Sequence, residues 1–150
     1  MRNLLIVLGA LAVPAYAAPA PMAKHVTKID VVERAETDVA SVKGGSGAEN
    51  VGDILTFTNP IYDATNTKKV GMDQGYCVRL IGKSIECHWT LTLAKGQIMV
   101  EGPVGDGDNA PDTTLAVTGG TGAYKGARGE MLIHARDPKA TAYDFHYRLM

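Results

Sequence analysis

From Ile29 onward apolar residues recur at every second position, and that period excludes a helical fold. Successive side chains of an extended strand point to opposite faces, whereas a helix repeats its face at every third or fourth residue. His88-Trp89-Thr90-Leu91-Thr92-Leu93 alternates most cleanly: Trp89, Leu91 and Leu93 share one face, and His88, Thr90 and Thr92 the other. Similar stretches occur at 29–34, 54–58, 76–80, 97–101, 114–118, 131–135 and 143–149, eight strands in all. Between them stand turn signals: Gly44-Gly45-Ser46-Gly47, Asn59-Pro60, Gly82-Lys83, Lys95-Gly96, Gly105 to Pro111, Gly119 to Gly122 and Asp137-Pro138. Short strands punctuated this way predict an all-β sandwich or barrel. Eight strands with short connections fit an up-and-down antiparallel barrel, because closure removes exposed edges. A barrel of that size is either filled by side chains or holds one small ligand.

The beginning of the chain reads as an address. Arg2 is followed by an apolar run from Leu4 to Val13 and by Ala15-Tyr16-Ala17, a small-x-small cleavage pattern. The run is too short for a spanning helix, which needs roughly 20 residues. Residues 1–17 are therefore expected to be a signal peptide cleaved near Ala17, leaving no membrane anchor on a secreted or periplasmic protein. Residues 18–24 form a proline-rich leader, and 25–150 the barrel domain. An oxidising compartment favours Cys77 and Cys87 as a disulfide. Strands folding back around Gly82-Lys83 would set the two opposite each other. With 15 Lys+Arg against 16 Asp+Glu, no electrostatic argument points to nucleic acid.

Several chemical motifs fail on spacing. The run Gly119 to Gly126 suggests a phosphate loop, yet Lys125 is followed by Gly126 rather than Ser or Thr, and no helix follows. The acidic loop Asp106 to Asp112 places Ala110 and Pro111 where a calcium loop needs an oxygen ligand and a glycine. His25, His88, His134 and His146 have no zinc spacing, so no metal site is expected. There is no G-x-S-x-G elbow. Cys87 and His88 point to opposite faces and cannot act as nucleophile and base.

The odd-numbered face is the apolar one and hence the barrel interior. It carries Cys77, Ile85, Cys87, Trp89 and Leu91 on two strands, and Leu55, Phe57 and Asn59 on another. Glu33 shares its face with Ile29 and Val31, so its carboxylate is placed inward, where it can act as acid, base or charge stabiliser. Arg79, on the Cys77 face, is a candidate partner. An outward Glu33, or a Glu33–Arg79 pair without catalysis, are the alternatives.

The run Gly52-Asp53-Ile54-Leu55-Thr56-Phe57-Thr58-Asn59-Pro60-Ile61-Tyr62 resembles the G-D-L-x-x-F-x-N-x-L-Y segment of allene oxide cyclases. Val70-Gly71, Gly75-Tyr76-Cys77-Val78, Val100-Glu101-Gly102-Pro103 and Leu115 to Gly122 match in the same order. The last run, with Ala127-Arg128-Gly129, also resembles a motif of plant dirigent proteins. The resemblance covers residues 51–133 and implies an eight-stranded antiparallel, calycin-like barrel, often a homotrimer, with a hydrophobic cavity. In allene oxide cyclases the barrel moulds a fatty-acid epoxide for ring closure; a glutamate helps delocalise charge and an asparagine holds a water on the epoxide oxygen. Carried over, Glu33 (with Glu36 as rival) and Asn59 are the catalytic candidates. Leu55, Phe57, Cys77, Arg79, Ile85 and Trp89 are the substrate-binding ones. Val104 stands where the family has a tyrosine, and Ile85 where it has a phenylalanine.

Three functions follow as expectations. One is a cyclase or isomerase that holds a hydrophobic small molecule, without metal or organic cofactor. Another is a dirigent-like protein that steers coupling without catalysing it. The last is a structural barrel plugged by Trp89, Phe57 and their neighbours.

Overall fold

The structure, a computed structural model, describes residues 26–37, 39–42, 51–82, 84–105 and 110–150, the stretch 39–42 by its backbone. The segments expected to be signal peptide and leader, the glycine run at 44–47, Lys83, and Asp106 to Asn109 of the acidic loop lie outside the described residues. The strands are β1 (Thr27–Arg34), β2 (Val39–Val42), β3 (Ile54–Asp63), β4 (Lys69–Arg79), β5 (Ser84–Leu93), β6 (Gly96–Gly105), β7 (Thr113–Gly120), β8 (Gly129–Ala135) and β9 (Ala142–Leu149). From β3 to β9 each strand pairs antiparallel with the next. β1 then closes the ring, bonded to β9 along its length and to β3 at Val31, Val32 and Glu33.

The closed barrel thus has the eight strands expected, and β2 is an addition to one of them. β1 pairs with the far end of β3 and β2 with its beginning, Val39 opposite Thr56 and Ala40 opposite Leu55. Together they form one broken strand along a single edge of β3. The break explains why Asn59-Pro60, expected as a turn, lies inside β3. Proline cannot donate to a ladder, and Pro60 sits between the β1-paired and β2-paired stretches of that edge.

The parity expected for the interior holds on β5, where Ile85, Cys87, Trp89 and Leu91 are all buried. On β6 the even-numbered Ile98 and Val100 are buried instead, after the odd–even change of the β5–β6 hairpin. One end of the barrel is sealed. There the glycine run ends β7 and enters a single 3-10 turn, Gly122–Tyr124, whose Tyr124 packs on the core beside buried Ala127. Thr121 and Ala123 donate backbone hydrogen bonds to Gln97 and Lys95 across the β5–β6 hairpin. Glycine is required at 122, where φ is +59° and a Cβ would strike the Lys95 carbonyl. The glycine run, whose spacing excludes a phosphate loop, is therefore a turn that covers the closed end.

Candidate functional site

A cavity of about 410 Å³ opens at the other end of the barrel. Its rim comes from three connections: Ala35 after β1, Ala110 and Pro111 before β7, and Lys139 to Thr141 before β9. Its walls are the inward side chains of the strands. Leu55, Phe57, Cys77, Ile85, Cys87 and Trp89 line it, with Val104, Ile133, Tyr143 and Phe145 completing the ring. Trp89 and Phe57 form the wall and leave the space open, so the barrel is not plugged by them.

Aromatic rings from β3, β5 and β9 meet across the interior. Trp89 stacks on Phe145 with centroids 5.7 Å apart and meets the edge of Phe57 at 6.2 Å; Tyr143 leans on Phe145 at 6.5 Å. Gly75 makes this arrangement feasible. It lies directly opposite Trp89 in the β4–β5 ladder, and a Cβ there would collide with the Trp89 backbone and its own Cβ. On the β4–β5 wall, beside Trp89, Cys77 and Cys87 face each other in register and are joined by a disulfide, their Cα atoms 4.0 Å apart. The expected bridge is thus part of the cavity wall. A disulfide fits an oxidising environment.

Among the described residues, Glu33 is the acidic one that lines the cavity, and it is only 5% exposed. Glu36 is exposed, so the structure separates the two rivals. The Glu33 carboxylate accepts a 2.7 Å hydrogen bond from Asn59 Nδ2. Asn59 itself, fully buried, is not among the lining residues. Its Oδ1 accepts from the backbone N–H groups of Glu36 and Thr37, both at 3.0 Å. Thr37 Oγ1 in turn accepts from Thr58 N and lies 2.8 Å from Thr58 O. These bonds stand in for the ladder where β1 and β2 are interrupted, so Asn59 ties the broken strand to β3 and positions Glu33 at once. Arg79 is half-buried near the mouth end of β4 and does not line the cavity.

Below the cavity floor lies a polar layer that sequence reasoning missed. Asp73 and Tyr147 are fully buried inward residues of β4 and β9, and Asp73 is the direct cross-strand neighbour of Asn59. Burial holds the Tyr147 hydroxyl well above the ordinary phenol range; the Trp89 indole N–H opposes that rise, and the negative charges of Asp73 and Glu33 add to it. Both residues fall on the odd-numbered face, and that parity was the available signal. Asp73 went unremarked because its same-face neighbours Gly71 and Gly75 interrupt the apolar row. His88 and His146 are on the outer face, the first against Tyr76 and the second bonded to Asp30 at 2.9 Å.

A family model described as allene oxide cyclase matches residues 22–147. Among solved structures, the chain is similar to a pyocyanin demethylase, with a TM-score of 0.64 and 22% identity over 83% of this chain and 100% of that one. The exo-specific intermolecular Diels-Alderase AbnU gives 0.66 and 18% over 84% and 98%. The pterocarpan synthase dirigent protein PsPTS1 gives 0.64 and 16% over 84% and 94%. At these identities the likeness to the solved structures establishes the barrel fold alone.

Proposed function

Because the chain belongs to the allene oxide cyclase family, we propose that it binds a hydrophobic small molecule in its cavity and templates a ring closure or isomerisation there. The observation that carries this reading is a nearly buried carboxylate, Glu33, set in the wall of a one-ended apolar cavity. Apolar walls can hold a flexible molecule in a reactive conformation, and orientation alone lowers barriers by roughly 7–11 kcal/mol in well-arranged systems. Glu33 supplies what the walls cannot, a fixed negative charge or a proton beside the reacting atoms. Asn59 acts through Glu33 as its positioning residue. The mechanism calls for neither metal nor organic cofactor. The same reading includes export with cleavage near Ala17, and assembly as a homotrimer.

A dirigent-like function is the second reading, in which the barrel orients a reactive molecule without transforming it. It is favoured by the commitment of Asn59 to the β1–β2 break, which leaves Glu33, among the described residues, as the one acidic side chain lining the cavity. Native mass spectrometry of the protein from its own host, with extraction of bound material, tests the shared premise. A stoichiometric apolar metabolite is expected, and the same spectrum reads the number of subunits. Protein that carries nothing, and that takes up no member of an apolar metabolite panel, refutes ligand binding. With a substrate in hand, Glu33→Gln separates the readings: lost turnover with affinity kept within a few-fold marks the enzyme.

A further inference from the structure

The disulfide of the β4–β5 wall is a reactive group that the proposed reaction leaves unused. Cys77 and Cys87 both line the cavity, yet they are only 6% and 2% exposed. Their side chains lie on the inward face, whereas Tyr76 and Glu86, one position before each, are exposed on the outer one. On the β6 side, the position opposite Cys87 is Gly102, which has no side chain to cover the sulfur. A small molecule inside the cavity therefore meets the bridge, while from outside the sheet stands in the way. Thiol–disulfide exchange needs a thiolate to reach one of the two sulfurs, so its rate follows access.

We infer that the Cys77–Cys87 bridge is a thiol-exchange site entered through the cavity mouth, which takes low-molecular-weight thiols and excludes protein thiols. The small molecule's thiolate bonds to one cysteine sulfur; the S–S bond breaks, and the other cysteine leaves as a thiolate that takes a proton from water. A second thiol attacks the mixed disulfide and frees the remaining cysteine, which is protonated in turn. The two thiols are oxidised to their own disulfide, and their two electrons reduce the protein's bridge. A cavity of about 410 Å³ admits a molecule of that class but not a folded protein. Ligand and thiol then compete for one space, so whatever fills the cavity guards the bridge. This inference rests on the reading of the cavity as a ligand site, and adds the redox chemistry of its wall.

Dithiothreitol and reduced thioredoxin serve as the small and the large reductant, and alkylation followed by mass spectrometry times the reaction. Each rate is taken relative to that on the chain unfolded in urea. Folding should slow thioredoxin at least about tenfold more than it slows dithiothreitol. Opening of the barrel would expose the bridge to both reagents alike, so equal slowing overturns the inference. So does a bridge that neither reagent reduces in the folded protein. N-phenyl-1-naphthylamine, an apolar fluorophore, then fills the cavity; energy transfer from Trp89, the only tryptophan, reads its binding. At saturation it should slow reduction by dithiothreitol at least about fivefold. Binding without protection overturns the inference and leaves the cavity a ligand site. Selective reduction by dithiothreitol, with neither this probe nor any of the apolar panel bound, supports the exchange site and refutes the ligand reading. Reduced protein alkylated with iodoacetamide carries two added groups in the wall and should bind the probe at least about tenfold more weakly. Unchanged affinity, with the barrel folded by circular dichroism, means that the sulfurs do not face the cavity and overturns the inference. Should the alkylated protein unfold, the two reductants on the unaltered protein still decide.

Discussion

Asn59 shows how a residue can be found for one reason and matter for another. Its place after Phe57 and Thr58 marked it through the family pattern, and its inward parity was legible too. Its bonds to Glu36 and Thr37 were not, because nothing in the sequence announces that β1 breaks at Ala35 and resumes at Val39. Asn59→Ala should cost about 2–4 kcal/mol in chemical denaturation, since it strands the backbone donors of the break and the partner of Glu33. A loss below about 0.5 kcal/mol would show that the break holds without it. Tyr147 gives a second test. Its hydroxyl titrates higher in the folded barrel than in the unfolded chain. The native state therefore binds that proton more tightly, and the stability it confers is complete below about pH 10 and declines above it. The decline expected is about 1.4 kcal/mol per pH unit, and Tyr147→Phe should remove that part of the slope. Equal slopes in the two proteins would mean that the phenol is hydrated in the native state.

At the scale of elements, strand existence and facing were readable and strand ends were not. β4 begins at Lys69, although only 76–80 alternates visibly, because Gly71 and Gly75 leave gaps on the inward face. Those gaps are structural, since the β5 backbone and the Trp89 Cβ press into them. Gly75→Ala should destabilise the barrel by about 2–4 kcal/mol through overpacking and should alter the near-ultraviolet signal of Trp89. An unchanged spectrum and stability would show that β4 and β5 separate freely. The Cys77–Cys87 pairing followed from compartment and spacing, and the register sets the two residues opposite each other as the hairpin requires. Alkylation without reductant should add nothing to the mass. Reduction should lower stability by about 2–3 kcal/mol, the scale for a loop of this length. Two alkyl groups on the unreduced protein would refute the bridge.

At the scale of the whole molecule, closure is what the alternation could suggest but not fix. An interior of odd-numbered residues is equally compatible with a sandwich, and the choice depends on which strand receives the free edge of β9. It receives β1, with Thr27 opposite Leu149 and Arg34 opposite Ala142, so the last strand completes a ring begun by the first. The cavity was less legible still, because its volume depends on rings from different strands meeting across the barrel. Phe145 stacks on Trp89 from the far end of the chain, and Tyr147 is buried beneath them. This long-range dependence predicts that a chain ending at Arg136 will not fold. Loss of β9 would expose the edges of β1 and β8, remove Phe145 and Tyr147, and open buried Asp73 to water. Calorimetry of the truncated chain should show no cooperative transition, while the full chain refolds slowly, on the millisecond-to-second scale of topologies that join distant segments. A cooperative melt in the truncated chain would mean that β1 and β8 are stable as edges. The barrel would then be an open sheet that β9 merely covers, and the cavity would owe its shape to the remaining strands.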